Sequence, residues 1–153
     1  MTRKSAGLDL RDAPTLQRVS TDAVTYEVNY PVQDLELDEL HAAAFGGQPA
    51  GTPWSGNLER YSLFWVTAHR DDRLVGFVNV LGDGGAHAIL MDTCVAPDMQ
   101  GRRIGATLVD HAAQEARSRG CEWLHADYEA DLVAFYESGC GFRPTAAGLL
   151  HLR

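Results

Sequence analysis

An apolar, strand-like run breaks at Thr93-Cys94-Val95-Ala96-Pro97-Asp98-Met99-Gln100-Gly101-Arg102-Arg103-Ile104-Gly105-Ala106, and apolar residues then recur at helical spacing. A strand that turns tightly into a helix gathers unpaired backbone N–H groups and the positive end of the helix dipole in one place. Such a place receives an anion. Gly101 and Gly105 remove side chains where a diphosphate would approach the backbone, and Arg102 and Arg103 add positive charge. The same window also fits an ordinary helix start whose glycines serve a tight turn. Just upstream, Asp92 interrupts Ile89-Leu90-Met91, and a carboxylate inside an apolar strand is costly unless it is paired, hydrogen-bonded or facing a cavity.

Other chemistries lack their residues. Gly82-Asp83-Gly84-Gly85-Ala86-His87 has no last glycine for a nucleotide loop and joins two strands, so it reads as a hairpin turn. Neither G-x-S-x-G nor G-x-x-x-x-G-K-[ST] occurs, which excludes the hydrolase elbow and the P-loop. Cys94, Cys121 and Cys140 are odd in number with no C-x-x-C spacing, so the cysteines are expected to be reduced thiols in a cytoplasmic protein. Cys121 and His125, four apart on a strand, lie roughly 13 Å from each other, too far to share a metal, and none is expected.

The elements that must position the anion turn follow from periodicity. Val24 to Tyr30 reads as a strand stopped by Pro31, and Asp34 to Phe45 as a helix with Leu37, Leu40, His41 and Ala44 on one side and Gly46-Gly47 at its end. Gly47 to Gly56 reads as a loop carrying Trp54. Tyr61 to His69, Leu74 to Leu81 and His87 to Val95 read as an antiparallel meander. Ile104, Leu108, Val109, Ala112, Ala113 and Ala116 form one helical face before Arg119, with Gly120 as the cap. Glu122 to Tyr128 is expected as a strand, Asp131 to Ser138 as a short helix, and Gly148 to Leu152 as a last strand. The order indicates an α+β domain with a mixed sheet.

Length and charge agree. The 153 residues suit one domain, here 22–153, behind a polar leader, 1–21, in which Arg3, Lys4, Arg11 and Arg18 outnumber Asp9 and Asp12. A net charge of -8 repels phosphate backbones and attracts cations, which disfavours nucleic acid as a partner. No apolar stretch approaches the roughly 20 residues that span a bilayer, and no secretory core follows Met1.

Gln100-Gly101-Arg102-Arg103-Ile104-Gly105 resembles the acyl-CoA signature Q/R-x-x-G-x-G/A of the GCN5-related N-acetyltransferase (GNAT) superfamily, with Arg103 in place of its first glycine. Val95-Ala96-Pro97-Asp98 is similar to the V-x-P-[DE] lead-in. Phe135-Tyr136-Glu137-Ser138-Gly139-Cys140-Gly141-Phe142 looks like the F-Y-x-x-x-G-F segment with one extra residue. The resemblance implies a mostly antiparallel mixed sheet flanked by helices and splayed between its fourth and fifth strands. It further implies an N-acetyltransferase that passes the acetyl group of acetyl-CoA to a primary amine by direct attack. In that scheme the backbone of Gln100, Gly101, Arg102, Arg103, Ile104, Gly105 and Ala106 binds the diphosphate, with Cys94, Val95, Phe135 and Glu129 along the rest of the cofactor. Glu129 stands where many members carry an Asn. The Val95 N–H polarises the thioester carbonyl, and Tyr136, whose phenol ionises only at about 10, protonates the leaving thiolate. Asp92 is a candidate base or amine anchor, joined on the acceptor side by Asp127, Trp54 and Asn57. A non-catalytic acyl-CoA sensor and a protein lysine or N-terminal acetyltransferase are the alternative readings, and a homodimer is a possible assembly.

Overall fold

The computed structural model describes residues 23–152, so the expected leader lies outside the described residues. In chain order the elements are β1 (Val24–Val28), α1 (Asp34–Phe45), α2 (Trp54–Tyr61), β2 (Phe64–Arg70), β3 (Arg73–Gly82), β4 (His87–Val95), α3 (Ile104–Ser118) and β5 (Trp123–Ala126). The strands form one sheet in the order β1-β2-β3-β4-β5, antiparallel up to β4 and parallel between β4 and β5, with α3 as the connection that a parallel pair requires.

Neighbouring residues of β3 show which helix covers which face. A Cβ on Gly76 would lie 2.9 Å from Leu108 and 3.1 Å from Ile104, both on α3, while the next ring, Phe77, meets Trp54 of α2 edge-on at 6.1 Å. Successive side chains of a strand point to opposite faces. α3 therefore lies on one side of the sheet, and α2 on the other beside α1, whose Leu37 and Leu40 are buried. Phe64, Val66, Phe77, Val78 and Val80 fill the space between the layers.

The ends of the elements have local causes. Gly46, in the left-handed region at φ 75°, caps α1 with its N–H on the Ala42 carbonyl, and Gly120 follows α3 at φ 90°. β1 stops at Val28, two residues earlier than expected, because Asn29 turns to φ 55° and its Oδ1 accepts the Trp65 N–H.

The strand expected over 122–128 shortens to β5, the helix expected over 131–138 is replaced by a 3-10 turn at Ala130–Leu132 and a π-helical turn at Ala134–Gly139, and two larger differences concern whole elements. The loop 47–56 gives way at Trp54 to α2, so the strand expected from Tyr61 starts only at Phe64. Contacts from α1 hold that short helix: Asp34 Oδ1 accepts the Ser55 N–H at 2.7 Å, and Asp38 takes the Gly51 N–H on one oxygen and the Trp54 indole N–H on the other. Burial alone would raise the Asp38 carboxyl, but those bonds and others from Thr52 outweigh it and hold the group below its usual value. The last strand expected over 148–152 is not formed. Leu149, Leu150 and Leu152 are 83–87% exposed, and apolar residues without β-branching or a neighbouring strand to pack on do not fix a strand.

The tight contact at Gly76 yields a stability prediction. Gly76→Val would drive branched carbons into Leu108 and Ile104, so the unfolding free energy should fall by about 1–3 kcal/mol. Urea denaturation of the two proteins measures it, and an unchanged midpoint would refute the packing of α3 on β3.

Candidate active site

β4 and β5 are joined over only four residue pairs, His87 with Trp123 through Leu90 with Ala126, although β4 runs on to Val95. At the joined end His87 Nδ1 and His125 Nε2 are 2.7 Å apart across the two strands. Past it the strands part. On the β3 side, Phe77 pairs with Cys94 and Asn79 with Met91, so Asp92 and Thr93 together face Val78. This is a β-bulge, and Asp92 within it has φ 55°, a left-handed conformation that aspartate tolerates better than most residues at a cost of about 1–3 kcal/mol.

The parted strands open a cleft of about 480 Å³. Thr93, Cys94 and Val95 form one wall, Leu132, Phe135, Tyr136 and Gly139 the other, and the segment from Met99 to Ala106 closes one end. The Ala96 N–H bonds to the Val75 carbonyl on β3, and N–H directions alternate along a strand, so the Val95 N–H is turned to the cleft side. Gln100 braces the turn by donating from Nε2 to the Val95 carbonyl at 3.2 Å.

The start of α3 has the form of an anion site. No side chain caps it and no acidic residue lies in its first turn, unlike α1, which has Asp34 and Glu36 there. Its first N–H groups therefore remain for a ligand. Arg103 holds the cap position at φ 63° and ψ 9°, so the backbone takes the shape a glycine would take, with the side chain strained but the charge kept. Gly105 is needed for space: a Cβ there would meet the Phe135 ring at 3.2 Å and Val95 at 3.6 Å, across the floor of the cleft.

On the opposite wall, residues 134–139 form a π-helical turn. A π turn is one residue wider than an α turn, and it takes up the extra residue between Tyr136 and Gly141-Phe142. Gly141, at φ 79°, and Phe142 then close the turn with N–H bonds to the Glu137 and Tyr136 carbonyls. Tyr136 is only 6% exposed, stacked on Tyr128 at 4.7 Å with Phe135 and Phe142 edge-on. Burial pushes its phenol above the ordinary value, and the neighbouring Thr93 hydroxyl offsets only part of that rise. Thr93 Oγ1 is itself buried with no hydrogen-bond partner of good geometry, a polar atom left over in the cleft wall. Burial, with Asp92 adding to it, pushes the Cys94 thiol up to about 12, and burial raises Cys140 as well, so neither is a ready thiolate nucleophile at neutral pH.

The remaining expected site residues divide. Arg102 is exposed on the turn, outside the residues that line the cleft. Asp92 stands one residue outside the cleft wall and pairs with His41 of α1, Nε2 to Oδ1, at 3.3 Å. Trp54 is buried, its ring 5.0 Å from His41. Asn57 is exposed on α2, and Asp127 and Glu129 are exposed beyond β5, none of them lining the cleft. His41, Thr93, Met99, Leu132 and Gly139 were not legible as site residues; His41 stood out only as part of a helical face. No described helix is long and apolar enough to cross a membrane. Among the described residues no group of three or more His, Cys, Asp or Glu is placed to hold a metal ion.

Comparison with known proteins agrees with this geometry. The sequence model of the Acetyltransferase (GNAT) family matches residues 25–142. An uncharacterized N-acetyltransferase, ycf52, of Pyropia yezoensis is 30% identical over 67 residues, which is 44% of this chain and 38% of the relative; its counterpart in Porphyra purpurea is 30% identical over 64 residues, 42% and 37%. The matched part of the chain thus spans well under half the length of these relatives. Among solved structures, a GNAT family acetyltransferase of Streptococcus pneumoniae TIGR4 superimposes with a TM-score of 0.71 at 23% identity, covering 86% of this chain and 98% of that one. The aminoglycoside N-acetyltransferase AAC(6')-Iy, solved in complex with CoA, gives a TM-score of 0.69 at 14% identity, covering 86% and 95%. These likenesses show the fold.

The left-handed arginine supplies a prediction. Arg103→Gly should raise the unfolding free energy by about 0.5–1 kcal/mol, the relief of the strained side chain less the entropy a glycine loses on folding. Lower stability in urea denaturation would show that the side chain contributes contacts worth more than the strain.

Proposed function

The chain belongs to the GNAT acetyltransferase family, and from that premise we propose that it transfers an acetyl group from acetyl-CoA to a primary amine by direct attack. The observation that carries this reading is the cleft between β4 and β5, which holds an uncapped helix start at one end and a buried, protonated phenol on its wall. Acetyl-CoA would supply an activated acetyl group as its thioester. The N–H groups at the start of α3 would hold the diphosphate, with Arg103 adding charge from the cleft lining and Arg102 from outside it. The space kept open by Gly105 and the buried Thr93 hydroxyl, which has no bond of good geometry, fit a pantetheine arm that carries amide groups and needs polar partners. The Val95 N–H, turned into the cleft, would donate to the thioester oxygen as negative charge develops there.

Tyr136 would donate its proton to the departing sulfur. Its raised pKa keeps the phenol neutral throughout the physiological range, so the donor form is present whenever the site is loaded. With Cys94 and Cys140 held as thiols, direct transfer is favoured over an acyl-cysteine intermediate. On the acceptor side, the negative charge of Asp92 would favour an amine that arrives in its ammonium form, and the net charge of -8 would concentrate cations around the protein.

Thiol release from acetyl-CoA, measured over alkyl diamines, amino sugars and lysine-bearing peptides, tests the activity and separates small-molecule from peptide acceptors. Gly105→Glu puts bulk into the floor of the cleft between Phe135 and Val95 and a negative charge into the first turn of α3, so acetyl-CoA affinity by calorimetry should fall more than about tenfold. Unchanged affinity in a folded variant would remove the cofactor from the α3 turn. Tyr136→Phe should bind acetyl-CoA normally while kcat falls by about 10²-fold, and full turnover would transfer the acid's role to water or another group.

A further inference from the structure

We propose that His41 accepts the proton of the incoming amine, with Asp92 holding the imidazole in place; the proposal rests on the N-acetyltransferase reading and deepens it. The two side chains come from elements 51 residues apart and meet at 3.3 Å. A carboxylate oxygen only accepts, so the hydrogen between them sits on His41 Nε2 and the bare, basic nitrogen is Nδ1. In this chain the bulge in β4, with its left-handed Asp92, is what presents the carboxylate to α1. A strained residue whose carboxylate meets a histidine of another element, beside a cleft wall, points to use rather than to packing.

The imidazole is also fixed by its neighbours. Phe45 packs against it at 4.6 Å and Trp54 at 5.0 Å, and the Trp54 indole is in turn anchored on Asp38. Asp92 is the charged group in direct contact with the ring, Asp38 lies behind Trp54, and Cys94, two residues on from Asp92, is held as a thiol. The two side chains are 30% and 26% exposed, sheltered yet open to an acceptor or a bridging water. An imidazole is a better match than a carboxylate for removing a proton at neutral pH.

The step balances. An N–H bond of the ammonium breaks and an Nδ1–H bond forms, directly or through one water, and the Asp92 carboxylate stabilises the resulting imidazolium. The freed electron pair of the amine bonds to the thioester carbon, the carbon–sulfur bond breaks with its pair on sulfur, and Tyr136 protonates the sulfur. The nitrogen, now positive, loses its second proton to water, which restores the Tyr136 phenol, and His41 returns its proton to solvent.

The test separates a base from a brace. Gln at position 41 can still donate a hydrogen bond to Asp92 but has no basic nitrogen. His41→Gln is expected to lower kcat by about 10²-fold or more, with acetyl-CoA affinity within twofold of wild type. In His41→Ala, added imidazole should restore turnover in proportion to its concentration. His41→Gln turning over at the wild-type rate, or a folded His41→Ala that binds acetyl-CoA but gains nothing from imidazole, would overturn the assignment. Wild-type turnover is measured first: a wild-type protein that binds acetyl-CoA and releases thiol with no amine overturns the transferase reading itself, and the role of His41 with it.

Discussion

A β-strand that loses its neighbour partway along leaves backbone hydrogen-bonding groups without partners, and this constraint falls on β4. Its first four residues share a parallel ladder with β5, and its last five do not. Everything that marks the cleft as a site follows from that loss. The Val95 N–H is directed into open space because the strand that would have received it has turned away. The wall that replaces β5 is built from the 134–139 turn, whose aromatic residues face Thr93, Cys94 and Val95 of β4 across a cleft of about 480 Å³. The helix that must cross from β4 to β5 begins at the mouth of the same gap, which brings its uncapped N–H groups to the place where the backbone is already unpaired.

The bulge in β4 has a different consequence. It inserts one residue into a strand paired on its β3 side, and so changes which face of the sheet the following side chains take. Met91 before it and Cys94 after it both lie opposite β3 residues of the same face, Asn79 and Phe77. Asp92 is released from the alternation and reaches α1. The contact with α1 is thus tied to the cleft wall through two neighbouring residues of one strand, Asp92 and Thr93.

Much of this was legible in the sequence because it is local. The turn from β4 into α3, the face of α3 and the end of α1 each depend on residues close in the chain, and their spacing and glycines carried the information. α2 was not legible, since Pro53 and Gly56 mark a loop by composition and the helix is held by Asp34 and Asp38 from another element. The strand expected at 148–152 failed for the converse reason: its leucines are apolar, but no neighbouring strand receives them. Asp92 was legible as a misplaced carboxylate, whereas its partner His41 was hidden, because a contact across 51 residues leaves no trace in local periodicity. The extra residue after Tyr136 was visible as a length mismatch, and only the backbone shows that a wider helical turn absorbs it.

Arg103 has a consequence at the level of the genetic code. Each arginine codon lies one base change from a glycine codon, so the strained side chain at the start of α3 could be exchanged for the residue its backbone conformation favours by a single mutational step. The exchange would relax the backbone and remove one positive charge from the anion turn in the same event. The Arg-to-Gly exchange at position 103 therefore couples a freer backbone to a loss of local charge in one inherited step.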